Sequence, residues 1–374
     1  MKTPLFLCLG ILVIFSCHNE AIMTYQNIAV GTYTKKEGHV DGKGDGIYLL
    51  KMNTETGELT AVDTITGIIN PSYIQIANNS IYAVSELADN SDKPIGKLHR
   101  VNITDHADHE SILIGGNAPC HISIVNDGKH IVSSNYVNSI SLVNINGTLQ
   151  LEDVVFPTGE VQGPPRQESP HPHMSVIAPD KKTILVSDLG LDAIIQLDYR
   201  LGEFIELSRT ATRAKSGPRH MSVDYENRIV YVLNELNHTI ESFQWINSDS
   251  PMKRISSIST LQDGARNPNV NCSAIKIHPT GKFIYAGNRG INGDPEQSIA
   301  AFKVNEPGKL SLINLYPTKG DIPRDFAINP DGKFLLAANQ NSDNIITYGI
   351  ADDGSLKDTG YELKINTPVC IKYY

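Results

Sequence analysis

Short runs of alternating apolar and polar residues, of the length that reads as β-strands, recur along the chain and never lengthen into a helical stripe. Ile47-Tyr48-Leu49, Ser141-Leu142-Val143 and Ile346-Thr347-Tyr348 are examples, built from the β-branched and aromatic residues that pack on a pleated sheet. Polar turns separate the runs. One set follows a first strand, at Asp127-Gly128-Lys129, Thr280-Gly281-Lys282 and Asp331-Gly332-Lys333. A second set precedes a last strand, at Thr56-Gly57-Glu58, Asn146-Gly147-Thr148, Pro307-Gly308-Lys309 and Asp353-Gly354-Ser355. Glycine supplies the positive φ that tight hairpin turns require.

One phrase organises these strands. It reads Pro71-Ser72-Tyr73-Ile74, Pro119-Cys120-His121-Ile122, Pro172-His173-Met174-Ser175, Pro218-Arg219-His220-Met221, Cys272-Ser273-Ala274-Ile275, Pro323-Arg324-Asp325-Phe326 and Pro368-Val369-Cys370-Ile371. Successive anchors lie roughly fifty residues apart, a period typical of propeller blades. The pattern predicts an all-β, seven-bladed β-propeller of four-stranded antiparallel blades. The seventh anchor has only its first strand before the chain stops, and Ile28 to Tyr33 reads as a second strand lacking a first. The last blade is therefore expected to be closed by N- and C-terminal strands, which removes the free edges of an open ring.

The formal net charge of −9 argues against nucleic acid as a partner, because phosphate binding needs a basic face. Residues 1–17 read as a leader. Lys2 precedes an apolar run from Leu5 to Phe15 that is too short to span a membrane, and Ile14-Phe15-Ser16-Cys17 resembles a bacterial lipoprotein signal with Cys17 as the lipidated residue. Residues 18–25 would then be a tether and 26–374 the propeller. The expected protein is exported, periplasmic or attached to the outer membrane, monomeric, and touches a membrane only through that lipid anchor. Without the leader, Cys120, Cys272 and Cys370 remain; three cannot form a complete disulfide framework, and each lies at or beside an anchor, where a small buried thiol fits.

In a propeller the first strand of each blade lines the channel, so superposing the phrases gives rings of side chains. The position after the anchor reads Ser72, Cys120, His173, Arg219, Ser273, Arg324, Val369. The second strand ends in two more rings. Thr32, Ser85, Asn135, Asp188, Asn234, Asn288 and Asn339 form an Asn-rich ring suited to hydrogen-bonding nearby backbone. Its neighbour reads Tyr33, Glu86, Tyr136, Leu189, Glu235, Arg289, Gln340. A histidine, several arginines and two glutamates thus meet at one channel mouth, where packing alone favours small or apolar residues, and ionisable groups gathered in a concavity signal a functional site.

His173 is the candidate general acid/base. Glu235 is either a partner for Arg219 or a carboxylate that orients water or His173. Arg219 and Arg289 could hold an anion and an oxyanion. Arg166, His171, Asp188, Arg324 and Glu86 complete the substrate-binding candidates. His171 and His173 form an H-x-H pair but lack further ligands at metal-site spacing, so neither metal nor other cofactor is expected. His121 and His220 share a column one step further along and read as packing residues. The non-repeating stretch from Phe156 to Pro170 is a candidate lid or specificity loop.

At these residues the chain resembles the lactonase family of seven-bladed propellers, which includes one type of bacterial 6-phosphogluconolactonase and a fungal carboxy-cis,cis-muconate cyclase. The resemblance covers residues 27–374. It rests on Arg166-Gln167-Glu168-Ser169-Pro170-His171-Pro172-His173, Gly217-Pro218-Arg219-His220, Asn234-Glu235-Leu236 and Gly287-Asn288-Arg289-Gly290. It implies catalytic roles for His173, Arg219, Glu235 and Arg289, and a small-molecule lactone as substrate. Two features depart from the family pattern: an insertion, Ile291-Asn292-Gly293-Asp294-Pro295-Glu296-Gln297, beside Arg289, and the leader, since an exported enzyme would meet a lactone other than a cytoplasmic sugar phosphate. The expectation is metal-independent hydrolysis of a sugar-type lactone. Its rivals are a lactone-forming cycloisomerase and a non-catalytic surface propeller that binds carbohydrate or protein.

Overall fold

The computed structural model describes residues 24–38, 40–88, 93–125, 128–199 and 202–374. The leader, Cys17 and nearly all of the tether lie outside the described residues. No α-helix occurs among the described residues, and no helix there is long and apolar enough to cross a membrane.

Among the described residues the chain forms seven four-stranded antiparallel sheets, together with a small hairpin of Lys36–Glu37 and Val40–Asp41. Their innermost strands are Ile74–Ala77, Asn117–Ile124, Pro172–Ile177, Pro218–Asp224, Val270–Ile277, Pro323–Ile328 and Pro368–Tyr373. Each packs against the next, and the last packs against the first, closing the ring. The C-terminal strand pairs with Tyr25–Thr32, with Val30 opposite Ile371. The final blade is thus stitched from both ends of the chain, as the sequence predicts. The N-terminal strand begins at Tyr25, inside the stretch read as tether.

The alternating pattern buries one face of each sheet against its neighbour. Val132 and Leu142 of one blade meet Val186 and Ile195 of the next, all of them buried. Fully burying such a side chain contributes roughly 1.5–3 kcal/mol. The last turns dock across blades as well. Gly354, at φ +83°, sits so close to Phe283 that a Cβ would lie 2.4 Å from its ring, while its carbonyl accepts the Tyr285 hydroxyl at 2.9 Å.

The feature that shapes the site is a repeated irregularity. In four of the innermost strands the anchor pairs with the Asn-rich ring: Pro119 with Asn135, Pro172 with Asp188, Pro218 with Asn234, Pro323 with Asn339. The ladder then skips one residue before resuming. The skipped residues are Cys120, His173, Arg219 and Arg324. A β-bulge re-aims the unpaired side chain, and here it takes each out of the sheet's alternation. Two asparagines of the Asn-rich ring make the backbone bonds expected of it, while Asn135 and Asn234 bond the hydroxyls of Ser139, Ser141 and Thr239. Asn288 donates to the Thr260 carbonyl at 3.0 Å and Asn339 to the Thr318 carbonyl at 3.0 Å.

Candidate active site

Glu235 is the centre of the site. It directly follows the strand Ile229–Asn234, and its amide donates to the Gly217 carbonyl at 2.7 Å. Its carboxylate is 1 % exposed and meets Arg166 Nη1 at 3.0 Å, Arg219 Nη1 at 2.9 Å and Arg289 Nη2 at 3.3 Å. Arg219 comes from the bulge, Arg289 from the strand Phe283–Gly290, and Arg166 from the non-repeating loop, where its backbone is left-handed at φ +73°. Carbonyls orient the buried pair: Arg219 Nε donates to Ser273 at 2.8 Å and Arg289 Nη2 to Cys272 at 3.0 Å. Arg289 Nε is buried without a protein partner.

Burial works against the Glu235 carboxylate, but the guanidinium groups of Arg166, Arg219 and Arg289 outweigh it and hold its pKa well below the usual range. Arg289 pays the converse cost: burial, then repulsion from Arg219, brings it down to about 9. Three guanidinium groups face one carboxylate, which leaves an excess of positive charge.

His173, 3 % exposed, accepts a hydrogen bond at Nε2 from Arg219 Nη1. Burial and then Arg219 push its pKa well below the ordinary histidine value, so the ring is neutral at pH 7. The accepting Nε2 assigns the proton to Nδ1, which lies 3.8 Å from Cys120 Sγ. Tyr136 packs edge-on to His173, with ring centroids 5.7 Å apart, and stacks on His171 at 4.3 Å. Its hydroxyl accepts from Arg166 Nε at 3.1 Å.

The remaining candidates fall into two groups. Arg324 and Glu86 share the cavity that Arg219 and Cys120 line, together with Ser72. Arg324 Nη2 donates to the Tyr33 hydroxyl at 2.8 Å and lies 3.8 Å from Glu86, which accepts from the Ser72 hydroxyl. His171 and Asp188 are tied to backbone. His171 Nδ1 donates to the Tyr136 carbonyl at 2.8 Å. Asp188 Oδ1 accepts the amides of His171, Gly190 and Leu191 at 2.8, 3.1 and 3.0 Å, and burial still raises its pKa to about 6. His171 and His173 therefore face different partners, and among the described residues no group of three or more His, Cys, Asp or Glu side chains is placed to hold a metal ion. The three cysteines are buried and unbridged, with burial raising Cys272 to about 12 and Cys370 to about 11. In the insertion beside Arg289, Asp294 accepts from Asn267 at 2.8 Å and Glu296 from Ser298.

Tyr33, Ser72 and Tyr136 lie in the same rings as the candidates but carry no charge to mark them. Gln167 lies outside the repeat, and Asp192 occupies a turn position that recurs between blades without any chemical signal of its own. Gly190 illustrates how tightly the approach to His173 is packed, because a Cβ there would lie 1.8 Å from the Ser169 carbonyl oxygen. Gly190→Ala is expected to displace Ser169 and Pro170 and lower kcat/KM about tenfold or more, since small misplacements near reacting groups are costly. Kinetics alongside a thermal melt check this, and unchanged kcat/KM would show that the segment is not tied to the chemistry.

Fold and site together define a seven-bladed propeller in which three arginines converge on one buried carboxylate. The chain belongs to the family described as lactonase, seven-bladed β-propeller, whose model matches residues 27–373. A Formosa agariphila protein named 6-phosphogluconolactonase is 32 % identical, covering 90 % of this chain and 96 % of its own length. A Bacillus subtilis protein of the same name is 29 % identical, covering 92 % and 97 %. The crystal structure of a Lactobacillus plantarum protein superposes with a TM-score of 0.82 at 26 % identity, covering 94 % of this chain and all of its own.

Proposed function

We propose that this chain hydrolyses a sugar-type lactone carrying an anionic group, as the name of its Formosa and Bacillus relatives suggests, at the channel mouth around Glu235. The observation that carries this reading is the convergence of Arg166, Arg219 and Arg289 on one buried carboxylate beside a neutral His173. Glu235 satisfies only part of that charge, and the remainder suits an anionic substituent and the oxyanion formed when water attacks the lactone carbonyl. Arg219 and Arg289, the buried pair, would take the oxyanion. Arg166, 39 % exposed on its loop, and Arg324 across the cavity would grip the outlying anionic group.

Attack requires a base. The neutral His173 imidazole has a lone pair at Nε2, and as Arg219 turns toward the substrate oxygen that nitrogen becomes free to take the proton from water. Glu235 then faces the imidazolium and stabilises it, while it keeps the guanidinium groups in place. Collapse of the tetrahedral intermediate breaks the ring C–O bond, and the proton held by His173 passes to the departing alkoxide, giving a hydroxy acid.

The test is acid release from 6-phosphogluconolactone, gluconolactone and an acyl-homoserine lactone by the purified protein at pH 6–7, with a chelator control. Turnover that persists with chelator and falls roughly 10²–10⁴-fold in His173→Ala is expected for a positioned base. A folded protein that opens none of these lactones overturns the proposal and favours a binding propeller.

A further inference from the structure

We infer that Asp192, acting through Gln167, is a positioning residue that holds the loop arginine, Arg166, in register with Arg219 and Glu235; the inference rests on the site proposed above. Asp192 lies in the turn between the strands Ile184–Asp188 and Ala193–Asp198, is 4 % exposed, and has a left-handed backbone at φ +50°. Its carboxylate gathers donors from two of the segments that build the Glu235 constellation, the Arg166 loop and the blade that carries Arg219 and Glu235. Oδ1 accepts Gln167 Nε2 at 2.8 Å, the Gly217 amide at 2.7 Å and the Ser216 hydroxyl at 3.2 Å, while Oδ2 accepts the Lys215 amide at 2.5 Å.

Two of these bonds lead to charged residues of the site. Gln167 is next in sequence to Arg166, and its amide also donates to the Leu189 carbonyl at 2.7 Å. Gly217 is two residues before Arg219, and its carbonyl receives the Glu235 amide at 2.7 Å. One carboxylate thus links the non-repeating loop to the blade that carries Glu235. The turn itself is a general device: Asn138, His238 and Asp343 occupy it in other blades with φ of 58, 58 and 53°. Asp343 uses its carboxylate to fix the incoming Thr367 amide at 2.8 Å, as Asp192 fixes Lys215 and Gly217. What Asp192 adds is the bond to Gln167. Arg166 needs it because it has no strand to hold it, only its loop and its own contacts with Tyr136 and Glu235.

The decisive experiment is a double-mutant cycle on the full chain with Gln167→Ala and Arg166→Ala, reading kcat and KM separately. Gln167→Ala alone is expected to lower kcat/KM roughly 10- to 100-fold, the scale of an ångström-sized misplacement. In the Arg166→Ala background it should cost almost nothing further, because the residue it positions is gone. Asp192→Asn, which keeps one acceptor but turns a donor toward Lys215, should reproduce the loss in part. An equal loss in both backgrounds overturns the inference, since a merely structural role ignores Arg166. A crystal structure of Gln167→Ala decides the matter without any substrate: Arg166 released from Glu235 supports it, and Arg166 unmoved overturns it. Absence of lactone turnover in the unaltered protein would count against the proposed reaction alone.

Discussion

Glu235→Gln is expected to destabilise the protein by about 3–5 kcal/mol, the usual cost of removing one partner from a buried ion pair. The side chain is 1 % exposed and its charge is the common counter-ion of Arg166, Arg219 and Arg289. Glutamine fills the same space but leaves the two buried guanidinium groups, Arg219 and Arg289, to repel each other with no charge between them. At the unfolding entropy typical per residue, this corresponds to a fall in Tm of roughly 4–7 °C. Catalysis should suffer by roughly 10²–10³-fold in kcat/KM, because the donors for the oxyanion lose their fixed positions. The sign of the pH dependence follows from the depressed pKa of Glu235. Its stabilisation is complete above the carboxylate pKa of the unfolded chain, about 4.3, and is lost as pH falls below that value. The difference in Tm between the variant and the native chain should therefore be constant from pH 8 to pH 6 and shrink only in strong acid. A variant as stable as the native chain at pH 7 would mean that the arginines are solvated and the carboxylate is dispensable.

The legible part of this molecule is the part that repeats. Seven anchors set the blade count, and the lone strands at the two ends announce the closure, because each blade must present the same apolar faces to its neighbours. The same periodicity exposes His173, Arg219 and Arg324, since the residue after the anchor is the bulged one in these blades. It also marks Asp188, whose Oδ1 is bound to three backbone amides, and whose place in the Asn-rich ring already carried that alternative. Periodicity fails where the chain stops repeating. The loop from Phe156 to Pro170 brings Arg166 onto Glu235 through a left-handed turn and a glutamine amide, and spacing says nothing about either. Nor does it show that Glu235 gathers three arginines: a ring position gives the height of a side chain along the axis, whereas the direction in which a long guanidinium reaches is decided by the carbonyls of Ser273 and Cys272 that receive it.

Acid should unfold this protein steeply, beginning near pH 6.5. His173, His220 and His121 follow one another in space, with ring centroids 5.5 Å and 6.1 Å apart, and all are nearly inaccessible to solvent. Burial foremost, then neighbouring positive charge, pushes each of their pKa values well below the ordinary histidine value. Burial, with His109 and Lys97, brings His99 down to about 4. In the unfolded chain all four titrate near 6.5. Below that pH the unfolded state binds protons that the folded state refuses, so stability falls as pH falls, by about 1.4 kcal/mol per pH unit for each histidine and about 4 for the three on the axis. Chemical denaturation from pH 8 to pH 5 measures this slope directly, and His220→Phe should reduce it by about 1.4 kcal/mol per unit by removing one titrating ring. The same neutral state bears on the reaction. If His173 is the base, its acid limb lies well below 6.5, and kcat/KM should stay level down to the pH at which the fold itself fails. Stability that is flat to pH 5 would mean that the axial histidines accept protons in the folded protein, and activity that falls with a midpoint near 6.5 would mean that His173 meets water freely.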